Sequence, residues 1–184
     1  LDLKPENVMI GEYGEVLVMD WGISVSYESP DKLEDSTLLH SLHRSGIRGP
    51  RGTPAYMAPE LAEGEGSEID NRTDIYLLGA ILHEILTGRP PHVSADKSKR
   101  ETLTQVLLRA CESEPPQFDK SIPEELQDIC RKALAQKPEE RYQCVADLQQ
   151  EMKLFLRHKE STAISDKAER TLIQCQSTFR SSAT

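Results

Sequence analysis

The sequence predicts a mainly α fold with one small β-hairpin close to its start. Three observations carry this. Two short β-prone runs flank a polar centre bounded by glycines, four later segments show helical apolar spacing, and 184 residues suffice for one well-buried domain but not two comfortable ones. With 37% hydrophobic and 29% charged residues, the balance is that of a soluble globular chain with room for a polar tail.

The β-prone runs are Val8-Met9-Ile10 and Val16-Leu17-Val18-Met19, around Gly11-Glu12-Tyr13-Gly14-Glu15. A hairpin there sets Asn7 and Asp20 at its two open ends, turning a long sequence separation into a single site. Over 24–50 the periodicity dissolves, acidic first (Glu28, Asp31, Glu34, Asp35) and basic later (Arg44, Arg48, Arg51). Aperiodic stretches of that length are functional or disordered in compact domains. A helix over 73–87 carries Ile75, Leu77, Leu78, Ile81, Leu82, Ile85 and Leu86 on nearly every face, which places it in the middle of a core. Gly88 and Pro90-Pro91 end it. A second helix is expected over 101–111, and a third over 121–135, opened by a capping box at Ser121-Ile122-Pro123-Glu124. A fourth aligns Val145, Leu148, Met152, Phe155 and Leu156 on one stripe, then grades into a polar segment and a weakly amphipathic stretch over 168–173. Residues 177–184 have the composition of a disordered end. The expected organisation is a folded body over 1–158 and a polar connector over 159–184, partly helical or disordered.

A net charge of -9 argues against a nucleic-acid groove, which needs clustered lysine and arginine. Cys111, Cys130, Cys144 and Cys175 form no Cys-x-x-Cys pair, and no histidine stands at a zinc-like offset. Cys130 and Cys144 fall among helical apolar residues and are expected to be buried, reduced thiols, which favours a cytoplasmic location. No stretch within this chain approaches the roughly 18 to 20 apolar residues of a membrane span.

The chemistry concentrates in Asp2-Leu3-Lys4-Pro5-Glu6-Asn7, followed by Asp20-Trp21-Gly22. Transfer of a phosphoryl group from a magnesium nucleotide needs a metal held on the phosphates, a positioned acceptor hydroxyl and neutralised charge. Magnesium takes oxygen donors and keeps few protein ligands beside phosphates and water. Asn7 and Asp20 suit Mg2+, Asp2 suits acceptance of a hydroxyl proton, and Lys4 suits compensation of charge on the migrating group.

With Gly52-Thr53-Pro54-Ala55-Tyr56-Met57-Ala58-Pro59-Glu60 and Asp74-Ile75-Tyr76-Leu77-Leu78-Gly79 downstream, these motifs resemble those of the serine/threonine protein kinases over residues 2–156. Asp-Trp-Gly, with Glu-Tyr-Gly-Glu before it, looks most like bacterial members. The resemblance implies a kinase-like C-terminal lobe without the β-rich N-terminal lobe. It implies Asp2, Lys4 and Thr53 as catalytic residues, Lys4, Asn7 and Asp20 as ATP-binding residues, and Asn7 and Asp20 as Mg2+ ligands. The substrate implied is a protein carrying a serine or threonine acceptor, since Lys4 and the Gly-Thr-Pro run are features of that class. Thr53 is expected beside Asp2 and Lys4, Glu60 in a structural ion pair with Arg141, and Asp74 hydrogen-bonded to the backbone of the 1–7 loop. Trp21 is expected to be a packing residue.

Other polar residues have plainer readings. His40 and His43 are expected to be solvated loop histidines, and His83 a satisfied core residue. Arg44, Arg48 and Arg51 form either a solvated basic patch or a phosphate-contacting one. Ser36, Thr37, Ser41 and Ser45 are candidate phosphorylation sites whose phosphates those arginines would pair with.

Two other functions compete. A pseudokinase-like binding scaffold has no need of the intact acids at 2 and 20, and a small-molecule phosphotransferase has no need of the peptide-docking run 52–60. The glycine-rich loop, strand lysine and helix glutamate that complete the nucleotide clamp in the resembled family are not among these residues, and Leu1 stands where arginine is common. The 184 residues by themselves are therefore expected to bind ATP weakly and transfer phosphate at a negligible rate. A titration with ATP and a radiolabel transfer assay on the isolated chain check this, and robust activity contradicts it.

Overall fold

The computed structural model describes residues 1–26, 42–96, 98 and 100–181, with side chains at all of these except 166 and 173–181. The described elements are strands β1 (Val8–Ile10), β2 (Val16–Val18), β3 (Val25–Ser26) and β4 (Leu42–His43), then helices α1 (Pro59–Glu63), α2 (Asn71–Thr87), α3 (Leu103–Glu112), α4 (Glu124–Ala133) and α5 (Val145–Ser181). The chain is thus helix-rich with a small hairpin. It divides into two compact units, Leu1–Leu148 and Gln149–Thr184.

β1 and β2 pair antiparallel with Val8 opposite Val18 and Ile10 opposite Val16. The Gly11 amide donates to the Glu15 carbonyl at 2.8 Å, and Gly14 adopts φ 83°, a left-handed turn that favours glycine. At the open end the Met19 amide donates to the Asn7 carbonyl at 2.8 Å, so Asn7 and Asp20 arrive side by side as the spacing predicts. The two-residue parallel pair β3–β4 was not legible in the sequence.

Helix α2 is the axis of the first unit. The Asp70 carboxylate takes the Arg72 amide at 2.7 Å while the Thr73 hydroxyl takes the Asp70 amide at 3.2 Å, a reciprocal cap. Gly88 ends the helix at φ 74°. Ile75 is buried, and Tyr76, Leu77 and Ala80 join Tyr56, Met57, Leu61, Ala110, Cys130 and Leu134 in one core. Helix α4 packs close because position 79 is glycine: a Cβ there would lie 2.7 Å from Ala133 Cβ. The all-round burial expected of α2 holds for its first half only, since Ile85 near its end is 73% exposed.

The short helix α1, which the sequence reading did not anticipate, is tied to the far end of the unit by one ion pair. Arg141 Nη1 and Nη2 donate to the two carboxylate oxygens of Glu60, both at 2.8 Å. The guanidinium has five N–H groups, and the other three donate to the carbonyls of Ala135, Arg72 and Gln136. The Thr73 hydroxyl adds a bond to Glu60 Oε1 at 2.8 Å, and the Tyr76 ring faces the guanidinium at 4.9 Å. Both charges are buried and fully partnered, as the expected structural pair requires.

Other differences from the sequence reading have local causes. Helix α3 starts at Leu103, capped reciprocally by Thr102 and Gln105. The capping box expected at Ser121 is absent. Pro123 is the N-cap residue of α4, and Ser121 instead donates its amide to the Asp119 carboxylate at 2.8 Å in a preceding turn. Cys130 is buried as expected, but Cys144 is exposed, because it lies immediately ahead of α5, where the chain turns into the helix. Helix α5 runs unbroken through the segment expected to be a polar connector and into 177–181, where a disordered end was expected. No glycine or proline follows Pro138, so nothing in that stretch interrupts a helix. Among the described residues no helix is long and apolar enough to cross a membrane.

Two stability measurements follow. Arg141→Met leaves Glu60 charged and buried, and is expected to cost about 3–5 kcal/mol in urea unfolding, with Glu60→Leu added to Arg141→Met recovering part of the loss. Burial holds His92 neutral in the folded chain down to about pH 4. The unfolded imidazole takes its proton near pH 6.5. The unfolded state then binds more protons across that window, so stability is expected to fall as pH drops from about 6.5 to about 4, by on the order of 3 kcal/mol, with His83, also lowered by burial, adding in the same direction. A flat urea midpoint across that window contradicts it.

Candidate active site

The first seven residues run extended to Lys4 (φ -158°, ψ 163°) and then turn through Pro5–Asn7. This delivers Asp2 and Lys4 to the same residue, Thr53. The Thr53 amide and hydroxyl donate to Asp2 Oδ1 at 2.9 and 2.8 Å, and Lys4 Nζ donates to the Thr53 hydroxyl at 2.7 Å. Lys4 Nζ also lies 3.1 Å from Asp2 Oδ2, closing a triangle. Gly52 permits it: at φ 109° its backbone passes so close that a Cβ would sit 3.0 Å from the Leu1 carbonyl oxygen. Thr53 stands where it was expected, 51 positions from Asp2 in sequence and in contact with it in space.

Asn7 is buried, and its Nδ2 donates to the Asp2 carbonyl at 2.9 Å, which leaves Oδ1 as its acceptor for another group. Asp20 holds φ 55°, a left-handed conformation rare outside glycine, and its Oδ1 takes the Gly22 amide at 3.2 Å. Asp2 and Asp20 both line a cleft of about 370 Å³ with Val18, Trp21, Asp74 and Leu78. Asn7 is joined to Asp2 on one side and to the strand leading into Asp20 on the other. Asp2 and Asp20 thus share the cleft, and Asn7, which is not among its lining residues, is held beside them through bonds to backbone groups.

This donor set fits a hard divalent cation. It offers one carboxylate and one amide oxygen, and among the described residues no group of three His, Cys, Asp or Glu could hold a metal by itself. A cation held by these two residues would need most of its ligands from phosphate oxygens and water, which suits magnesium. Trp21 differs from expectation. Its ring is 70% exposed at the cleft rim rather than packed, with Nε1 donating to the Val18 carbonyl at 3.1 Å.

The run 52–60 is fixed along its length. The Tyr56 amide donates to the Thr53 carbonyl at 2.9 Å, and its hydroxyl donates to Glu84 Oε2 at 2.7 Å. Burial and that bond push the phenol well above its usual range, so it stays protonated and donating. His92 holds the same run from behind, its amide on the Ala55 carbonyl at 3.3 Å and its Nε2 on the Met57 carbonyl at 2.9 Å. Glu84 and His92 were not singled out from sequence; the only signal was their place in and just beyond the end of a core helix.

Several expectations need correction. Asp74 makes no hydrogen bond to the 1–7 loop: its Oδ1 is buried without one and lies 3.6 Å from the Leu1 nitrogen, beyond hydrogen-bond length. Arg44 and Arg48 spend their guanidiniums on backbone carbonyls, Arg44 on Ile69 at 3.0 Å and Arg48 on Ser45 at 2.7 Å. His43 is half-exposed, and its Nδ1 caps a short turn by accepting from the Ser45 amide. His83 is a satisfied core residue, Nδ1 donating to the Arg89 carbonyl at 3.0 Å. Ser36, Thr37, His40 and Ser41 lie outside the described residues.

Comparison with known proteins gives matches to one family. A family model described as protein kinase domain matches residues 1–153. The chain is 33% identical over 165 residues to serine/threonine-protein kinase PknD of Chlamydia trachomatis, covering 84% of this chain and 17% of that protein. It is 35% identical to PknD of Protochlamydia amoebophila, covering 84% of this chain and 16% of that protein. It is 34% identical over 151 residues to PknB of Mycobacterium leprae, covering 82% of this chain and 22% of that protein. The chain thus spans about a fifth of the length of the curated relatives it matches.

Gly52→Ala tests the triangle. The added Cβ meets the Leu1 carbonyl in a backbone conformation that L side chains rarely adopt, so it is expected to cost about 1–3 kcal/mol. It should also speed amide exchange at Thr53, whose N–H bonds Asp2. Unchanged exchange there contradicts the geometry.

Proposed function

The chain belongs to the protein kinase family, and on that premise we propose that it supplies the acceptor and metal side of an ATP-dependent serine/threonine protein kinase of bacterial type. The observation that carries the reading is the Asp2–Thr53–Lys4 triangle, with Asn7 bonded to the Asp2 carbonyl. Residues 1–158 act as the C-terminal lobe, and 159–184 as a connector.

In this reading the chain's residues do four things. Two bonds from Thr53 hold Asp2 Oδ1, which orients Oδ2 to take the proton of an incoming serine or threonine hydroxyl. Lys4, 3.1 Å from that oxygen and anchored on Thr53, compensates negative charge on the phosphoryl group as it moves. Asn7 Oδ1 and Asp20 would hold Mg2+, which would supply charge neutralisation to the ATP phosphates. The run 52–60 seats the protein substrate. The alternatives of a binding scaffold or a small-molecule phosphotransferase leave this triangle and this run without a use. A cytoplasmic setting is proposed on the strength of the unpaired Cys111, Cys130 and Cys144.

In the full-length polypeptide carrying these residues, Asp2→Asn is expected to lower kcat by about 10²–10⁴-fold on a serine peptide with little change in ATP binding. Asp20→Asn is expected to abolish the magnesium dependence of nucleotide binding. Wild-type rates in both variants contradict the assignment.

A further inference from the structure

His92 carries no role in the reading above, yet it is the most heavily connected buried polar residue behind the docking run. It is 4% exposed. A carbonyl only accepts, so its 2.9 Å contact with Met57 O makes Nε2 the protonated nitrogen. Its own amide holds Ala55 O, and its carbonyl accepts from Arg109 Nη1 at 2.9 Å, a residue of α3 that is itself paired to Glu101. The ring stacks on Tyr76 with centroids 6.1 Å apart and planes 13° from parallel. Tyr76 in turn bonds Ser113 Oγ at 2.7 Å, just past the end of α3. One residue thus ties two carbonyls of the docking run to α2 and to α3, Met57 O and Tyr76 through its ring, Ala55 O and Arg109 through its backbone.

The placement has a mechanical consequence. The run is pinned at its start, where Thr53 grips Asp2 and Lys4, and two to four residues later at Ala55 and Met57. Tyr56 on Glu84 and Glu60 on Arg141 anchor the run through its side chains, while the His92 ring is what holds the Met57 carbonyl in the middle of its backbone. We propose that His92 is a positioning residue for the protein acceptor: it sets the 52–60 run relative to Asp2 and passes displacements of α3 to that run through Arg109. This inference rests on the kinase reading for its consequence in catalysis, and on geometry alone for its consequence in the run.

The test uses the full-length polypeptide carrying these residues. His92→Phe keeps a stacking ring and removes the contacts of Nε2 with Met57 O and, at 3.1 Å, with the Tyr76 hydroxyl, and a cavity of about 410 Å³ bordering His92 leaves room for the larger ring. His92→Gln returns an N–H at a comparable reach. His92→Phe is expected to raise KM for a serine peptide roughly tenfold while KM for ATP and kcat change less than about twofold, and His92→Gln to restore most of the loss. An acceptor KM unchanged in His92→Phe, or an ATP KM raised by the same factor, overturns the proposal. Amide exchange over 53–58 is read in parallel, and separates the two claims. If the wild type phosphorylates no acceptor, the kinase reading fails, and exchange then decides for His92. Faster exchange in His92→Phe that His92→Gln reverses supports the positioning role; unchanged exchange overturns it.

Discussion

The Glu60–Arg141 pair is the constraint on which the first unit depends. It joins residues 81 positions apart, and every donor of the guanidinium has an acceptor. Its value lies less in net stabilisation than in what its arrangement forbids. A buried charge that loses its partner is costly, so the end of the 52–60 run, the start of α2 and the turn before α5 hold one mutual arrangement. Thr73 connects the pair to the reciprocal cap of α2, so the same few atoms begin the core helix and anchor the 52–60 run.

From that anchor the run extends back to Thr53 and the Asp2–Lys4 contact. Tyr56 on Glu84 and His92 on Ala55 and Met57 hold the middle. The hairpin contributes differently. Its own apolar side chains are exposed, including Met9, Ile10 and Leu17, so its role in this unit is to hold Asn7 and Asp20 adjacent through backbone pairing rather than to fill a core. Scaffold and site therefore rest on separate interactions, a packed helical core for one and a short hydrogen-bonded network for the other.

Much of this was legible in the sequence, because it depends on local pattern or ordered motifs. The hairpin, with Asn7 and Asp20 at its open ends, and the four longer helices follow from glycine-bounded β runs and helical spacing, and the placing of Thr53 beside Asp2 and Lys4 follows from the family resemblance. What escaped has a physical reason in each case. Helix α1 is five residues long and too short to show a period. The cap at Asp70 closes on a threonine where the capping-box pattern has glutamate or glutamine, Thr102 with Gln105 fits that pattern, and the pattern at Ser121 is pre-empted by Asp119. Asp74 lacks its expected bond because partner geometry, unlike residue type, is not written in spacing. His92 gains its importance from two carbonyls, and backbone acceptors leave no trace in composition.

The central claim is that Asn7 and Asp20 present oxygen to one cation beside Asp2. Paramagnetic relaxation by Mn2+ with a nucleotide, measured in the full-length polypeptide, tests it most directly. The account predicts strong broadening of the Asn7 side-chain amide and of the Asp20 and Gly22 backbone amides, lost in Asp20→Asn, with α4 signals sharp. Broadening centred elsewhere, or equal in wild type and Asp20→Asn, contradicts it.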